Sequence, residues 1–283
     1  MNYVFYYFGK VPRHVEYSLN SVMNSDPDST IFFCSEEKVS FNNVEHVSPS
    51  HIRSDLTKTI HELNYFNKGD QNPLWASSML RMFYINDLAK SLKLESYVHF
   101  DSDVICYKPH KELSPYFDNL KFNITPMMQD FLVFGYSFIP NIDVYSEILN
   151  EVAEILNKSD YYEKHFYNGN RLTEMKTLYI AYLQKPELFN LLPVLPGDNI
   201  IFDPGSYGQY LGGVHYKKFS KKYINKEHIV GKALENKEIQ VFTKNKVPKV
   251  EKNGTTYELA NLHVHKKIFL NLCQRIFRGK QDK

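Results

Sequence analysis

The stretch of sequence that decides the fold is Tyr97-Val98-His99-Phe100-Asp101-Ser102-Asp103-Val104-Ile105-Cys106-Tyr107. It has the pattern of an apolar strand that carries two carboxylates at the edge of a sheet. Because side chains of a strand alternate between its two faces, Asp101 and Asp103 are expected to project from the same side. Two carboxylates at such a short distance repel each other unless a cation lies between them. The pattern therefore predicts a divalent-metal site.

An isolated Asp-x-Asp is more often a polar strand end or a turn, because Asp and Ser favour such positions. Here the motif has a hydrophobic lead-in and a hydrophobic exit, and Lys108-Pro109 then ends the strand. This setting favours the metal interpretation.

Strand and helix patterns alternate before this stretch. A buried first strand over 1–8 ends at Gly9, apolar residues recur at helical spacing over 15–23, and a second buried strand covers 30–34. Parallel α/β sheets are built from such strand-helix-strand units and place ligands beyond the carboxyl ends of their strands. The sequence thus predicts an α/β fold with a site at that edge.

The remaining elements are predicted from periodicity and turn residues. They are a helix over 54–66, a long amphipathic helix over 74–92, a strand over 131–134, a helix over 142–156, a helix capped by Thr173 that runs through Leu183, and a hairpin at Asn253-Gly254. No repeat or composition break marks a second domain. We therefore expect one domain over 1–267 and a basic amphipathic extension over 268–283.

Composition excludes some classes of partner. The 283 residues carry 34 basic and 32 acidic side chains and a net charge of +2, which does not favour nucleic acid as a partner. The three cysteines are far apart in sequence and form no Cys-x-x-Cys pair, as is typical of a reducing compartment. The first residues lack the pattern of a signal peptide, and their apolar run is too short to span a bilayer. These features predict a cytoplasmic protein.

Further residues suited to metal and phosphate lie on both sides of the aspartate pair. Arg81 precedes it on the long helix, where its planar charge suits a diphosphate or an ion pair. His263 and His265 share one face of a short strand, and Lys266 and Lys267 follow directly. One histidine is expected to bind metal and one lysine to meet phosphate, and the sequence does not choose between the histidines.

The segment Phe202 to Gly213 is predicted to be a ligand-binding loop, because its glycines permit close approach of the backbone. Tyr207 and Tyr210 are predicted to stack on sugar or base rings, and Asp203 and Gln209 to bond hydroxyls. A plain irregular turn is the alternative.

Together the first strand and helix, the helix with Arg81, the strand that ends in Asp101-Ser102-Asp103 and the late histidine resemble a GT-A type nucleotide-sugar glycosyltransferase. The resemblance spans about residues 2–267 and implies a Rossmann-like mixed sheet flanked by helices, with a C-terminal hairpin and helix. It implies that Asp103 coordinates Mn²⁺ or Mg²⁺, that Asp101 contacts the ribose or shares the metal, and that His263 or His265 completes the ligands.

The same resemblance implies further roles. Tyr6, Phe8 and Gly9 would border the base of the nucleotide, and a UDP-sugar is the favoured donor. The acceptor would be a glycan or glycolipid hydroxyl of the surface polysaccharide or lipopolysaccharide type. The catalytic carboxylate that inverting members use has no unambiguous counterpart, so Glu174 and Asp130 are the candidates. Glu174 at its helix start also fits a simple dipole interaction.

The C-terminal extension over 268–283 combines apolar residues with cations. It is suited either to peripheral contact with an anionic membrane or to packing as a terminal helix on its own domain.

Two other functions fit parts of the sequence. A haloacid dehalogenase-like phosphatase has an apolar strand that ends in Asp-x-Asp and a later Gly-Asp-x4-Asp pattern, here Gly197-Asp198 to Asp203, with Asp101 as nucleophile. However, a complete strand-helix-strand unit precedes the motif, and the segment 192–196 is a poor central strand. A non-catalytic carbohydrate-binding protein that holds Ca²⁺ fits the 21 tyrosines, but it does not explain the lysines after the histidines.

Overall fold

A computed structural model describes residues 1–52, 54–67, 73–197, 199–213, 225–244 and 247–264. The strands are β1 (Asn2–Tyr7), β2 (Thr30–Ser35), β3 (Val44–Val47), β4 (Tyr97–Phe100), β5 (Val104–Cys106), β6 (Phe122–Met128), β7 (Phe131–Ile139), β8 (Phe189–Leu191), β9 (Ile200–Ile201), β10 (Gln240–Lys244), β11 (Val247–Lys252), β12 (Thr255–Leu259) and β13 (Asn261–His263). The helices are α1 (His14–Ser25), α2 (Asp55–Glu62), α3 (Asn64–Asn67), α4 (Pro73–Ser91), α5 (His110–Leu113), α6 (Ile142–Asn157), α7 (Ser159–Phe166), α8 (Glu174–Gln184) and α9 (Ile229–Glu235).

The main sheet has seven strands in the order β3-β2-β1-β4-β7-β6-β8. Strands β1, β2, β3 and β4 pair in parallel, whereas β7 runs antiparallel to both β4 and β6. The predicted strand-helix-strand unit is β1-α1-β2. The expectation of a mixed α/β sheet flanked by helices is confirmed.

Helices cover both faces of this sheet because the side chains of β1 alternate. Val4 and Tyr6 pack in one apolar cluster with residues of α4, α6 and α8. Tyr3 and Phe5 point to the other face and pack with residues of α1. A strand buried on both faces has the continuous apolar run that the N-terminal sequence shows. Burial of each such large side chain stabilises the fold by about 1.5–3 kcal/mol.

The strand predicted over 97–107 is in fact two strands joined by a turn. Strand β4 ends at Phe100, β5 begins at Val104, and the backbone N–H of Val104 donates to the carbonyl oxygen of Asp101 at 3.0 Å. Strand β4 belongs to the main sheet, whereas β5 pairs antiparallel with β13. The two aspartates therefore lie close because of a turn, and the expected alternation along one strand is wrong.

A second sheet, in the order β10-β11-β12-β9, contains the predicted hairpin. Asn253 and Gly254 join β11 to β12 and both have positive φ, 52° and 78°. Two consecutive positive φ angles are what a two-residue type I′ turn requires, and Asn-Gly is its preferred sequence. The hairpin prediction is confirmed.

The part of the chain covered by the structure contains no helix with the length and apolarity needed to cross a membrane. The extension over 268–283 lies outside the described residues, so its predicted helix and its membrane contact stay predictions.

Candidate active site

Asp101, Asp103 and His263 converge at one point, although His263 is about 160 residues away in sequence. One ligand atom from each lies within 4.8 Å of the others. Nε2 of His263 is 3.1 Å from Oδ1 of Asp103 and 3.8 Å from Oδ2 of Asp101. The prediction that an imidazole from the far end meets the acidic pair is confirmed for His263. His265, Lys266 and Lys267 lie outside the described residues.

The pairing of β5 with β13 brings this histidine to the acidic turn. His263 is in register with Val104, and the backbone N–H of Val264 donates to the carbonyl oxygen of Asp103 at 2.8 Å. Gly135 leaves the space that the cluster occupies, because a Cβ there would lie 3.2 Å from Nδ1 of His263. Backbone hydrogen bonds of β13 thus position the imidazole on one side, and Gly135 leaves space for it on the other.

The carboxylates control the charge of His263. Burial alone would lower the pKa of this imidazole, but the charges of Asp103, Asp101 and Asp203 outweigh burial and raise the pKa to about 9. In the metal-free protein the ring is therefore an imidazolium at neutral pH.

Arg81 ties the acidic turn to the start of α8. Its guanidinium forms an ion pair with Asp101 and lies 3.5 Å from Oε2 of Glu174. The guanidinium carbon also lies 5.8 Å from the centre of the Phe134 ring. The ion pair suggested for Arg81 by its sequence position is therefore formed, and its contact with a diphosphate stays a prediction.

Glu174 is the first residue of α8, where the side chain of Thr173 caps the helix as predicted. The carboxyl of Glu174 is only 6% exposed and lines the same cavity as the acidic turn. Burial raises the pKa of Glu174, and the Arg81 guanidinium acts in the opposite direction.

The loop over 203–208 has a structural role that the sequence analysis missed. Oδ1 of Asp203 accepts from the backbone N–H groups of Gly205, Ser206 and Tyr207, at 2.9, 2.7 and 2.9 Å. Its Oδ2 accepts from the N–H of His263 at 2.9 Å. Asp203 therefore holds strand β13, which carries His263, and its predicted role as a partner for ligand hydroxyls is wrong.

Tyr207 is likewise a core residue. Its side chain is fully buried, and its hydroxyl donates to the carbonyl oxygen of Val194 at 2.8 Å, so the predicted stacking on a ligand ring is wrong. Gln209 does line the cavity, and its Nε2 donates to the carbonyl oxygen of Gly205 at 2.9 Å.

Gly208 allows this loop to touch the histidine strand, and an alanine there is expected to destabilise the fold. A Cβ at Gly208 would lie 1.9 Å from the carbonyl oxygen of His263, so backbone must move. We expect Gly208→Ala to lower the free energy of unfolding by about 1–3 kcal/mol, the usual cost of overpacking. Urea denaturation measures this. Gly197→Ala is the matched control, because nothing lies within 4 Å of a Cβ at Gly197. Equal stability of the two variants would contradict the contact.

The acidic turn opens into a cavity of about 690 Å³. Its lining includes Tyr6, Tyr7, Phe8, His14, Leu74, Trp75, Ser77, Ser78, Arg81, Asp101, Ser102, Asp103, Met127, Val133, Glu174, Met175, Pro204, Gln209, Asn225, His228 and His263. Tyr6 and Phe8 line this cavity, and their predicted contact with the base of the nucleotide stays a prediction. Within the described chain, Gly9 and Asp130 are not among the lining residues.

Several lining residues carried no sequence signal. Tyr7 follows Tyr6 on β1, and burial and the charge of Asp103 raise the pKa of its hydroxyl. His228 is buried, and its Nδ1 lies 2.8 Å from the hydroxyl oxygen of Ser206. Trp75 lies in the first turn of the long helix α4. Their positions in the sequence do not indicate a site, because the cavity is formed by segments that are distant along the chain.

The fold and the site define a mixed α/β protein with a carboxylate and imidazole cluster in the lining of a cavity. No protein-family model matches the sequence, and no curated protein matches it. Among solved structures, the galactosyltransferase LgtC in complex with donor and acceptor sugar analogs aligns over 99% of this chain and 100% of its own, with 10% identity and a TM-score of 0.48.

Two further solved structures align over part of this chain. Mouse xyloside xylosyltransferase 1 covers 68% of this chain and 86% of its own, with 12% identity and a TM-score of 0.45. The PaToxG glycosyltransferase covers 65% of this chain and 69% of its own, with 12% identity and a TM-score of 0.38.

Proposed function

We propose that this protein is a glycosyltransferase that depends on a divalent cation and moves a sugar from a nucleoside-diphosphate sugar to a hydroxyl of a glycan or glycolipid. One observation carries the proposal. Asp101 and Asp103 from the middle of the chain and His263 from its far end present their ligand atoms together in a large cavity. Acceptors of the surface polysaccharide or lipopolysaccharide type and a cytoplasmic location belong to the same proposal.

The donor set fits Mn²⁺ or Mg²⁺. Carboxylate oxygens suit both ions, and an imidazole nitrogen beside them suits Mn²⁺ better than an ion that takes only oxygen ligands. The side chains of Asp101 and Asp103 are 18% and 33% exposed, so a cation reaches them from the cavity. The imidazole also argues against the alternative of a carbohydrate-binding protein that holds Ca²⁺.

The charge of the cavity supports a role for a cation. Among the described lining residues there are three carboxylates, Asp101, Asp103 and Glu174, against two cationic groups, the Arg81 guanidinium and the His263 imidazolium. Arg81 is already paired with two of the carboxylates. The cavity therefore offers a diphosphate no net positive charge, and a bound divalent cation would supply it.

When bound, the cation supplies the positive charge that stabilises the departing nucleoside diphosphate. Asp101, Asp103 and His263 hold the cation, and Arg81 orients Asp101. Tyr6 and Phe8 at the end of β1 border the nucleotide. Glu174 lines the cavity and Asp130 is not among the described residues that do, so Glu174 is preferred as the group that accepts the proton of the acceptor hydroxyl.

The position of Asp203 argues against the phosphatase alternative. That mechanism needs a later aspartate free to bind the metal. Both oxygens of the Asp203 carboxylate accept backbone N–H groups, and the side chain is 1% exposed. Asp198, the other aspartate of the pattern, lies outside the described residues.

The direct test is turnover of a panel of UDP-, GDP-, dTDP- and ADP-sugars by the purified protein, with Mn²⁺, with Mg²⁺ and with EDTA. We expect release of nucleoside diphosphate from at least one donor, dependent on the cation. p-Nitrophenyl phosphate serves as the phosphatase control. Release of inorganic phosphate from that control without turnover of any sugar nucleotide would overturn the proposal.

The raised pKa of His263 predicts that Mn²⁺ binding depends on pH. The ordinary imidazole pKa of about 6.5 is raised to about 9 in the metal-free protein, so between pH 7 and 9 the ring is protonated. A metal ligand must be neutral, so binding displaces this proton. We expect the Kd for Mn²⁺ to fall about tenfold per pH unit over this range and to level off above it.

Isothermal titration calorimetry in two buffers of different ionisation enthalpy measures the protons released. We expect about one proton per Mn²⁺ near pH 7.5. His263→Gln should abolish the release. An affinity that does not change with pH, and no proton release, would show that His263 is not a ligand.

A further inference from the structure

The first turn of α4 gives the cavity an apolar side. Leu74 and Trp75 are 61% and 37% exposed, and both line the cavity. Met127 from β6 and Met175 from α8 also belong to the lining. A group of apolar side chains that lines a cavity beside a few polar groups is typical of a ligand-binding surface.

Trp75 is the only tryptophan of the chain. It belongs to none of the three apolar clusters, and within the described chain its ring has no aromatic neighbour in stacking contact. Tryptophan is usually highly buried because its large apolar surface stabilises a core. Here more than a third of the surface of the side chain stays exposed, and the residue lines the cavity.

The surroundings of Trp75 match the chemistry of a sugar ring. A pyranose presents a face of C–H groups and a rim of hydroxyls, so it binds best where an aromatic face lies beside small polar groups. Ser77 and Ser78 also line the cavity. Their hydroxyls donate to the carbonyl oxygen of Leu74, each at 2.9 Å, so each hydroxyl oxygen keeps acceptor capacity for a sugar hydroxyl.

The helix fixes how far this side is from the acidic turn. Trp75 and Arg81 are six residues apart on α4, which corresponds to about 9 Å along the helix axis. Arg81 contacts Asp101. Along the helix axis, the backbone of Trp75 therefore lies nearly two turns from the residue that contacts the acidic turn, and both residues line the same cavity.

We propose that Trp75, with Leu74 and the two serines, forms the acceptor subsite and binds a pyranose ring of the acceptor by stacking. This inference rests on the proposed function and assigns its acceptor as a carbohydrate ring rather than a lipid or a peptide. The other possible occupant, the base of the donor nucleotide, is an outcome of the test below.

Intrinsic fluorescence tests the subsite directly, because all tryptophan emission comes from Trp75. The probes are methyl β-D-galactopyranoside, methyl β-D-glucopyranoside and methyl α-D-mannopyranoside, each titrated with and without UDP and Mn²⁺. We expect a saturable change in emission with at least one glycoside, and we expect UDP not to compete with it. A change produced by UDP alone, with none from any glycoside, would assign the ring to the nucleotide and overturn the inference.

Kinetics of Trp75→Ala and Trp75→Phe provide the second test, with the acceptor that the wild type uses. Loss of a stacked aromatic should raise the KM for the acceptor about tenfold in Trp75→Ala and much less in Trp75→Phe, with the KM for the donor within about twofold of wild type. Leu120→Ala is the control, because Leu120 is 77% exposed and is not among the cavity residues.

Different results would overturn the acceptor subsite and the proposed glycosyltransferase function. An unchanged acceptor KM in Trp75→Ala, in an enzyme that still transfers sugar, would remove the subsite and leave the proposed function intact. Absence of any cation-dependent donor turnover in the wild type would remove the proposed function. In that case the glycoside titration still decides whether Trp75 binds a sugar ring.

Discussion

Arg81→Met is expected to destabilise the protein by about 3–5 kcal/mol, the cost of leaving buried charges without their partner. The side chain of Arg81 is 16% exposed, and those of Asp101 and Glu174 are 18% and 8% exposed. Solvent therefore screens this ion-pair network little. Methionine keeps much of the volume of the arginine stem, so the effect reports the lost charge rather than a cavity.

The double variant Arg81→Met/Glu174→Gln tests the cause of that loss. Removal of one of the two orphaned carboxylates should recover part of the stability, and urea unfolding of the single and double variants measures how much. Arg13→Met is the matched control, because Arg13 is exposed and its replacement should change stability by less than about 0.5 kcal/mol. A loss below about 1 kcal/mol in Arg81→Met would show that the buried pairs are not formed.

Asp103→Ala is expected to lower cation-dependent turnover at least about 100-fold. Loss even of a residue that only supports a metal ligand commonly costs 10–100-fold in affinity or activity, and Asp103 is proposed as a ligand itself. Its carboxylate lies 3.1 Å from Nε2 of His263, so its loss also removes a charge that raises the pKa of that imidazole. Turnover of the best donor from the panel, with a Mn²⁺ titration, measures the effect.

Stability separates this effect from unfolding. Asp103 lies in a turn and its side chain is one-third exposed. Its replacement relieves repulsion with Asp101 but removes an ion-pair partner of the His263 imidazolium, so we expect the variant to unfold at a somewhat lower urea concentration than wild type and to stay folded in native buffer, where turnover is measured. Asp55→Ala makes the same chemical change at a side chain that is 97% exposed, and it should keep full activity. Retention of activity and of Mn²⁺ affinity in Asp103→Ala would refute the proposed cation site.

Local sequence determined the parts of the fold that depend on neighbours along the chain. The apolar run of β1, the cap at Thr173 and the turn at Asn253-Gly254 were all predicted, because alternation, capping and turn geometry involve residues within a few positions of one another. The acidic pair and the late histidine likewise predict a metal site from the types of their side chains alone.

The tertiary structure alone decided how the site is assembled. The strand over 97–107 breaks at Asp101 because β5 pairs with β13, whose sequence is more than 150 residues away. The carboxylate of Asp203 accepts a hydrogen bond from the backbone N–H of His263, which is 60 residues further along the chain. Arg81 forms an ion pair with Glu174, which is 93 residues further along. Trp75 lines the cavity around these contacts, which no local pattern indicated. Hydrogen bonds and ion pairs between distant segments depend on the path of the whole backbone, and no local pattern encodes that path.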